Sequence, residues 1–247
     1  MNFQEFDATL EQMFALNELS LQLQENQRKQ LFEAMNIILE KNKVMNLTAI
    51  CSEGEFIARH WVDALTAVDL IPHGASLLDV GTGGGILAIA YAVARPDIKV
   101  LAMDSTAKKT DFVAECAAKL GLKNLRVISG RAEELSKDKK FRESFDVVTA
   151  RAVAAMPVLS ELCLPFAKVG GIFCALKGKN GAEELAQAAK AIKTLGGRLK
   201  EDKFISLREI SGGDVISSDR HLLIIEKNSK TPGIYPRRYA QITKSPL

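Results

Sequence analysis

From residue 75 onward the chain alternates short apolar runs with longer amphipathic ones, and this alternation restricts the fold more than any other feature. Runs at 76–80, 99–103, 125–128, 145–149, 172–176, 204–207 and 221–226 have strand length, whereas 84–94, 107–120, 158–167 and 182–195 carry apolar residues at helical spacing. Strands that alternate with helices join through crossovers, which produces a mostly parallel sheet with helices on both faces. No helix-length segment separates the last two runs, so they are expected to pair as an antiparallel edge hairpin. The pattern predicts an α/β fold with a seven-stranded sheet.

The first seventy residues lack this alternation and read as helical. Asn26 stands as a cap before Leu31, Phe32, Met35, Ile38 and Leu39, which follow a 3.6-residue period. Ser52 and Glu55 have capping-box spacing ahead of Phe56, Ile57, Trp61, Ala64, Leu65 and Val68. We therefore divide the chain into an N-terminal helical extension (1–70), a sheet-bearing domain (71–230) and a tail (231–247).

Composition removes several classes of function. With 47% hydrophobic and 26% charged residues, the 247-residue chain is far from the profile of a disordered protein. The longest apolar run, 86–94, is nine residues and ends at Arg95, too short for a membrane span. The N-terminus carries acidic residues where a secretory signal would be basic, so a cytoplasmic protein is expected. Cys51, Cys116, Cys163 and Cys174 lie 65, 47 and 11 residues apart, and only three histidines are present, which argues against a metal site or disulfide framework. Net charge is only +3, yet residues 1–30 sum to −3 and residues 226–247 to +4. The basic tail also holds Tyr235, Arg237, Arg238 and Tyr239, residue types that stack on bases and bind phosphate.

The sharpest motif is Leu77-Leu78-Asp79-Val80-Gly81-Thr82-Gly83-Gly84-Gly85, an apolar strand ending in an acid and then a glycine turn. A dinucleotide fingerprint would need glycine at 86, where Ile86 stands. The D-x-G-x-G-x-G spacing instead resembles the first motif of class I, Rossmann-like, S-adenosylmethionine-dependent methyltransferases. On that resemblance Gly81, Gly83 and Gly85 shape a cofactor turn and Ile86 gives it an apolar wall. Asp104, 25 residues past Asp79, ends the second run with a carboxylate able to accept two ribose hydroxyls, with backbone donors at Ser105 and Thr106 beside it. Gly130-Arg131-Ala132-Glu133 follows the third run, so Ala132 and Glu133 are expected to close over an adenine. Arg151 ends the fourth run as a candidate for the cofactor carboxylate, a phosphate or a base edge.

A closer resemblance covers residues from about 40 to the end. Asn46-Leu47-Thr48-Ala49-Ile50, His60-Trp61-Val62-Asp63-Ala64-Leu65, the glycine motif, Gly130-Arg131-Ala132-Glu133, Arg151-Ala152-Val153-Ala154, Lys177-Gly178 and Tyr235-Pro236-Arg237-Arg238 occur in the order and spacing of the RsmG (GidB) family of ribosomal RNA methyltransferases. The resemblance implies methylation of guanine N7 in small-subunit ribosomal RNA with S-adenosylmethionine as donor and no metal. The chain departs from the family at Ile86-Leu87-Ala88, where a phenylalanine-proline-glycine type of sequence is usual, and at Lys108-Lys109, where lysine-arginine is usual.

Guanine N7 carries a lone pair and no proton, so its methylation requires no general base, and placement supplies the rate. The absence of a Ser-His-Asp set fits that chemistry. Asn46 and Asp63 are candidates for contact with the base, and Lys177, Arg237 and Arg238, with Lys108 and Lys109, for contact with RNA phosphates. A monomer is expected. Two alternatives stand beside this reading: a methyltransferase for a small-molecule or protein acceptor, and a non-catalytic ribosome assembly factor.

Overall fold

The computed structural model describes residues 1–247. Seven strands form one sheet in the order β3-β2-β1-β4-β5-β7-β6. They are β1 (Ser76–Val80), β2 (Lys99–Asp104), β3 (Leu125–Ser129), β4 (Phe145–Arg151), β5 (Ala167–Lys177), β6 (Gly197–Ser211) and β7 (Asp214–Lys227). The first five run parallel and β7 is antiparallel to both β5 and β6. The expected architecture is therefore present. The strand order reverses between β1 and β4, and this switch point opens the crevice in which open α/β sheets bind ligands.

Side chains alternate across the sheet, and the two faces carry separate cores. Leu77, Val100, Val147 and Ile224 join a 46-residue cluster on one face, and Leu78, Met103, Val148 and Ile225 join a 23-residue cluster on the other. Burial on both faces explains why the strands read as nearly continuous apolar runs. Helices α5 (Ile86–Ala94) and α6 (Ala107–Lys119) cover the first face; α7 (Ala132–Leu135), α8 (Met156–Cys163) and α9 (Gly181–Thr194) lie on the connections that follow. All nine residues of α5 are buried, as expected for a helix that is apolar all round. Pro157 in the first turn of α8 sets its start, and Pro165 falls in the short 3-10 turn that follows it, so α8 begins and ends earlier than the apolar spacing suggests.

The outer side of α5 is covered by the N-terminal segment. Helices α1 (Phe3–Leu16) and α2 (Glu25–Met45) put Phe6, Leu10, Leu31, Met35 and Ile38 into the same cluster as α5. Residues 1–70 thus share a core with the sheet. The start of α2 is Gln24 rather than Asn26: the Gln24 amide donates to Gln27 Oε1 at 2.8 Å in a capping box. Ser52 caps α3 (Glu53–Phe56) through the Glu55 amide, as its spacing suggests. The chain then widens into a π-helical stretch, Ile57–Val62, and returns to α-helix in α4 (Asp63–Leu65). No helix is long and apolar enough to cross a membrane.

The edge hairpin is much longer than the apolar runs at 204–207 and 221–226. Strands β6 and β7 pair from Gly197↔Lys227 to Ser211↔Asp214, turning at Gly212-Gly213, where both residues have positive φ. Beyond β5 this ribbon continues as two strands and packs on the N-terminal segment, where Asn17 exchanges hydrogen bonds with the backbone of Arg208 and Arg59 pairs with Glu209. Residues 231–247 fold onto the body and end in α10 (Tyr239–Lys244).

Candidate functional site

Loops at the carboxyl edge of the sheet enclose a cleft of about 650 Å³. Its floor is the turn after β1. Gly81 has φ +70°, and a Cβ there would lie 2.6 Å from Val153 Cγ2, so backbone and packing both demand glycine. At Gly83 an added Cβ meets nothing nearer than the Gly81 carbonyl at 4.0 Å, so the backbone there borders open space.

Asp104 organises the turn. Its Oδ2 accepts the Gly83 amide at 3.0 Å and its Oδ1 the Thr106 amide at 2.9 Å, and the residue is only 8% exposed. Each oxygen retains a further lone pair, which gives the cleft two adjacent acceptors for a vicinal diol. Ser105, Ala132 and Glu133 line the cleft beside it, and Ile86, Leu87, Met103 and Val153 add apolar wall. Glu133 is buried and accepts from Arg131 Nε at 2.9 Å.

Two residues expected in this group have other work. Gly85 does not line the cleft; its Cβ would fall 2.9 Å from Val113 Cγ2, so it allows the start of α5 to pack on α6. Thr106 does not line it either; its amide donates to Asp104 Oδ1.

The opposite flank is a chain of charged side chains. Arg151, at the end of β4, lines the cleft and donates to Asp63 Oδ2 at 2.7 Å, while Asp63 Oδ1 accepts Arg220 Nε of β7 at 2.9 Å. Arg151 also lies 3.4 Å from His60 Nδ1, and His60 Nε2 lies 2.7 Å from Thr48 Oγ1. Burial and the Arg151 charge push the His60 pKa down to about 3, so the imidazole is neutral. Burial pushes Asp79 up to about 6 despite a hydrogen bond from Thr149. Ala152, next to Arg151 and also on the cleft, holds φ +57° without being glycine, backbone strain of the kind that clusters at binding sites.

Asn46 and Asp63 do not reach the cleft. Asn46 is the left-handed C-cap of α2 at φ +49°, exposed. The side chain that shapes the adjoining 47–50 loop is Asn42, whose Oδ1 accepts the Leu47 and Thr48 amides at 2.6 and 2.9 Å. Asp63 is spent on two guanidiniums. Among the basic candidates, Lys177 pairs with Glu184 at 2.6 Å and Arg237 with the fully buried Glu161 at 2.6 Å, so both act within the fold. Arg238 and Lys108 are exposed and form no ion pair, and Lys109 lines the cleft. Thr48, His60 and Arg131 reach the cleft through tertiary structure. Arg220 of β7 does not line the cleft and meets this flank through Asp63.

The donor set suits S-adenosylmethionine: an open glycine backbone, paired acceptors on Asp104, apolar walls, and Arg151 opposite for a carboxylate. No group of three or more His, Cys, Asp or Glu is placed to hold a metal ion.

Known proteins share this fold. The fold is similar to precorrin-6y C5,15-methyltransferase of Geobacter metallireducens (TM-score 0.52, 16% identity, 68% of this chain and 87% of that one). It is also similar to the cyclase SpnF (TM-score 0.55, 15% identity, 84% and 98%). A methyltransferase and a cyclase share this frame, so the fold does not by itself fix the reaction. Sequence relatives are more specific. "Ribosomal RNA small subunit methyltransferase G" of Pelotomaculum thermopropionicum is 43% identical over 93% of this chain and 95% of its own, and that of Exiguobacterium sibiricum is 40% identical over the full length of both. The GidB family model, described as rRNA small subunit methyltransferase G, matches residues 27–210, which span the glycine turn, Asp104, Arg151 and most of β6. The chain belongs to the GidB family of small-subunit ribosomal RNA methyltransferases.

Proposed function

We propose that the protein transfers a methyl group from S-adenosylmethionine to N7 of one guanine in small-subunit ribosomal RNA, acting as a cytoplasmic monomer. The observation that carries this reading is Asp104, with two acceptors beside an open glycine turn, inside a segment matched by the family. Gly81, Gly83, Ile86, Asp104, Ser105, Ala132 and Glu133 hold the nucleoside end, and Arg151 holds the carboxylate. S-adenosylmethionine, when bound, supplies an electrophilic methyl on a sulfonium.

The remaining work is placement and electrostatics. Guanine N7 has no proton to lose, and the cleft accordingly holds a neutral His60 that neither gives nor takes one near pH 7. Both the donor and the methylated base are cationic, so a lone Arg151 would oppose the reaction. Asp63, 2.7 Å from Arg151 and shared with Arg220, offsets one of the two guanidinium charges, so the trio keeps a single positive charge for an anion such as the cofactor carboxylate to meet. Thr48 and His60 line the side nearest Arg151, where the hydroxyl and the imidazole bond each other at 2.7 Å. RNA phosphates meet exposed Arg238 and Lys108 and the half-buried Lys109 at the cleft.

The test is to incubate the protein and S-adenosylmethionine with unmodified small ribosomal subunits and cleave the RNA at N7-methylguanine. One new break is expected. No break, with cofactor binding demonstrated, would move the reaction to another acceptor.

A further inference from the structure

The C-terminal segment is tied to the body by groups that leave it little freedom. Lys227, fully buried, donates to the Leu164 carbonyl at 2.8 Å and also bonds Thr231 Oγ1, which donates to the Leu195 carbonyl at 2.8 Å. Arg142 donates to the carbonyls of Thr231 and Tyr235 at 2.8 and 3.0 Å. Glu161 receives both the backbone and the guanidinium of Arg237, and Ile242 of α10 is fully buried. Buried charges paired in this way hold a segment in one place, because breaking a pair leaves an uncompensated charge inside.

That fixed segment delivers an aromatic ring to the cleft. Tyr239 lines it while remaining 40% exposed, with the Arg131 guanidinium 5.4 Å from the ring centroid. Arg131 is held in turn by Glu133. The sheet order tells which end of the ligand this is. Acceptors for a ribose sit on Asp104 at the end of β2, the glycine turn follows β1, and Arg151 ends β4; moving the other way from β2 reaches β3 and the 130–133 loop. A nucleoside with its ribose on Asp104 and its amino-acid end toward Arg151 has its base beside Ala132, Glu133 and Tyr239.

We propose that Tyr239 is a cofactor-binding residue: its ring closes the adenine end of the cleft, with Arg131 holding it in place, so that the C-terminal segment is part of the S-adenosylmethionine site. This rests on the cleft being that site. Arg238 and Lys244, exposed and without an ion pair, are left free for phosphate on the adjacent surface, so one short segment serves both ligands.

The experiment measures binding of S-adenosylmethionine and of adenosine to the full chain by calorimetry, for the native protein, Tyr239→Ala and Tyr239→Phe, with thermal midpoints alongside. Loss of one base–aromatic stack lowers affinity about tenfold. The expected result is that loss for both ligands in Tyr239→Ala, near-native affinity in Tyr239→Phe, and midpoints that change little, since the residue is 40% exposed and outside the buried core. Equal affinity of native protein and Tyr239→Ala overturns the proposal and leaves the functional reading intact. Parallel loss in Tyr239→Phe and Tyr239→Ala also overturns it, because then the hydroxyl and not the ring matters. Failure of the native protein to bind either ligand overturns the assignment of the cleft and this proposal with it.

Discussion

The two flanks of the cleft are built on different principles. On the β2–β3 side one carboxylate, Asp104, gathers backbone amides from residues close to it in the chain or in the sheet. On the β4 side Thr48, His60, Asp63, Arg151 and Arg220 come from four separate segments and meet only through side chains. A backbone-built flank places ligand acceptors with little dependence on remote residues, whereas a side-chain-built flank ties ligand binding to the stability of the whole N-terminal segment and hairpin. The first flank should therefore fail by losing ligand, and the second by losing fold.

The largest effect is expected at Asp104. Asp104→Ala removes two acceptors for the ribose, and hydrogen bonds to a charged group are each worth roughly 1.5–3 kcal/mol, so cofactor affinity should fall about 1,000-fold. Calorimetric titration checks this, with a thermal midpoint to show that the variant stays folded. A loss smaller than about tenfold would mean that the backbone, not the carboxylate, holds the nucleoside, and the contrast between the flanks would collapse.

Asp63→Ala should act in the other way. It strands Arg151 and Arg220, whose side chains are 17% and 23% exposed, around a site that is itself 7% exposed. Removing one partner of a mostly buried pair costs about 3 kcal/mol. Urea denaturation should show that loss, and adding Arg220→Leu to Asp63→Ala should recover part of it. Equal and additive losses in the two variants would show that Asp63 and Arg220 are not coupled.

The same contrast governs what could be read from the chain. The strand–helix alternation, the glycine turn and Asp104 are local patterns, and the sheet follows them nearly strand for strand. Long-range features were less legible. The hairpin reads short because the chain on both sides of 204–207 and before 221 is rich in polar residues such as Lys200, Glu201, Arg208, Ser217 and Ser218, although Gly212-Gly213 marks its turn. Asp63 reads as a base contact on a helix face until Arg220 is brought beside it by strand pairing. Arg237 and Lys177 read as free cations until the buried Glu161 and the half-buried Glu184 take them. Gly85 fits the cofactor motif by spacing, yet beyond its positive φ its constraint is the Val113 side chain, which no motif contains.

Proton linkage offers a smaller probe of the buried groups on this flank. His60 has a folded pKa near 3 against an ordinary 6.5, so its contribution is present above pH 6.5 and lost as pH falls toward 3. Asp79 has a folded pKa near 6 against 3.8, so the native state binds the extra proton and its contribution is lost as pH rises from 4 to 6. The two slopes oppose each other between pH 4 and 6, each at most about 1.4 kcal/mol per pH unit. The native protein should show a nearly flat stability there, while Asp79→Asn should grow more stable with rising pH and exceed the native protein at pH 7. Denaturant midpoints across pH 4–7 decide it; a flat profile in Asp79→Asn would mean that Asp79 does not carry the opposing slope.

The smallest effects separate free cations from paired ones on the proposed RNA surface. Arg238 and Lys108 have no anionic partner, so replacing either by alanine should leave the fold intact and weaken RNA binding a few fold at moderate salt. Each such replacement should also reduce the slope of log affinity against log salt by about 0.7–0.9, the share of a single neutralised phosphate. Arg237→Ala is the control. Its guanidinium is already committed to Glu161, and its removal leaves that carboxylate buried without a cation, so the cost should appear as lower stability with the salt slope unchanged. If Arg237→Ala reduces the slope as Arg238→Ala does, then Glu161 gives up its partner when RNA arrives, and the C-terminal segment moves on binding instead of presenting a fixed surface.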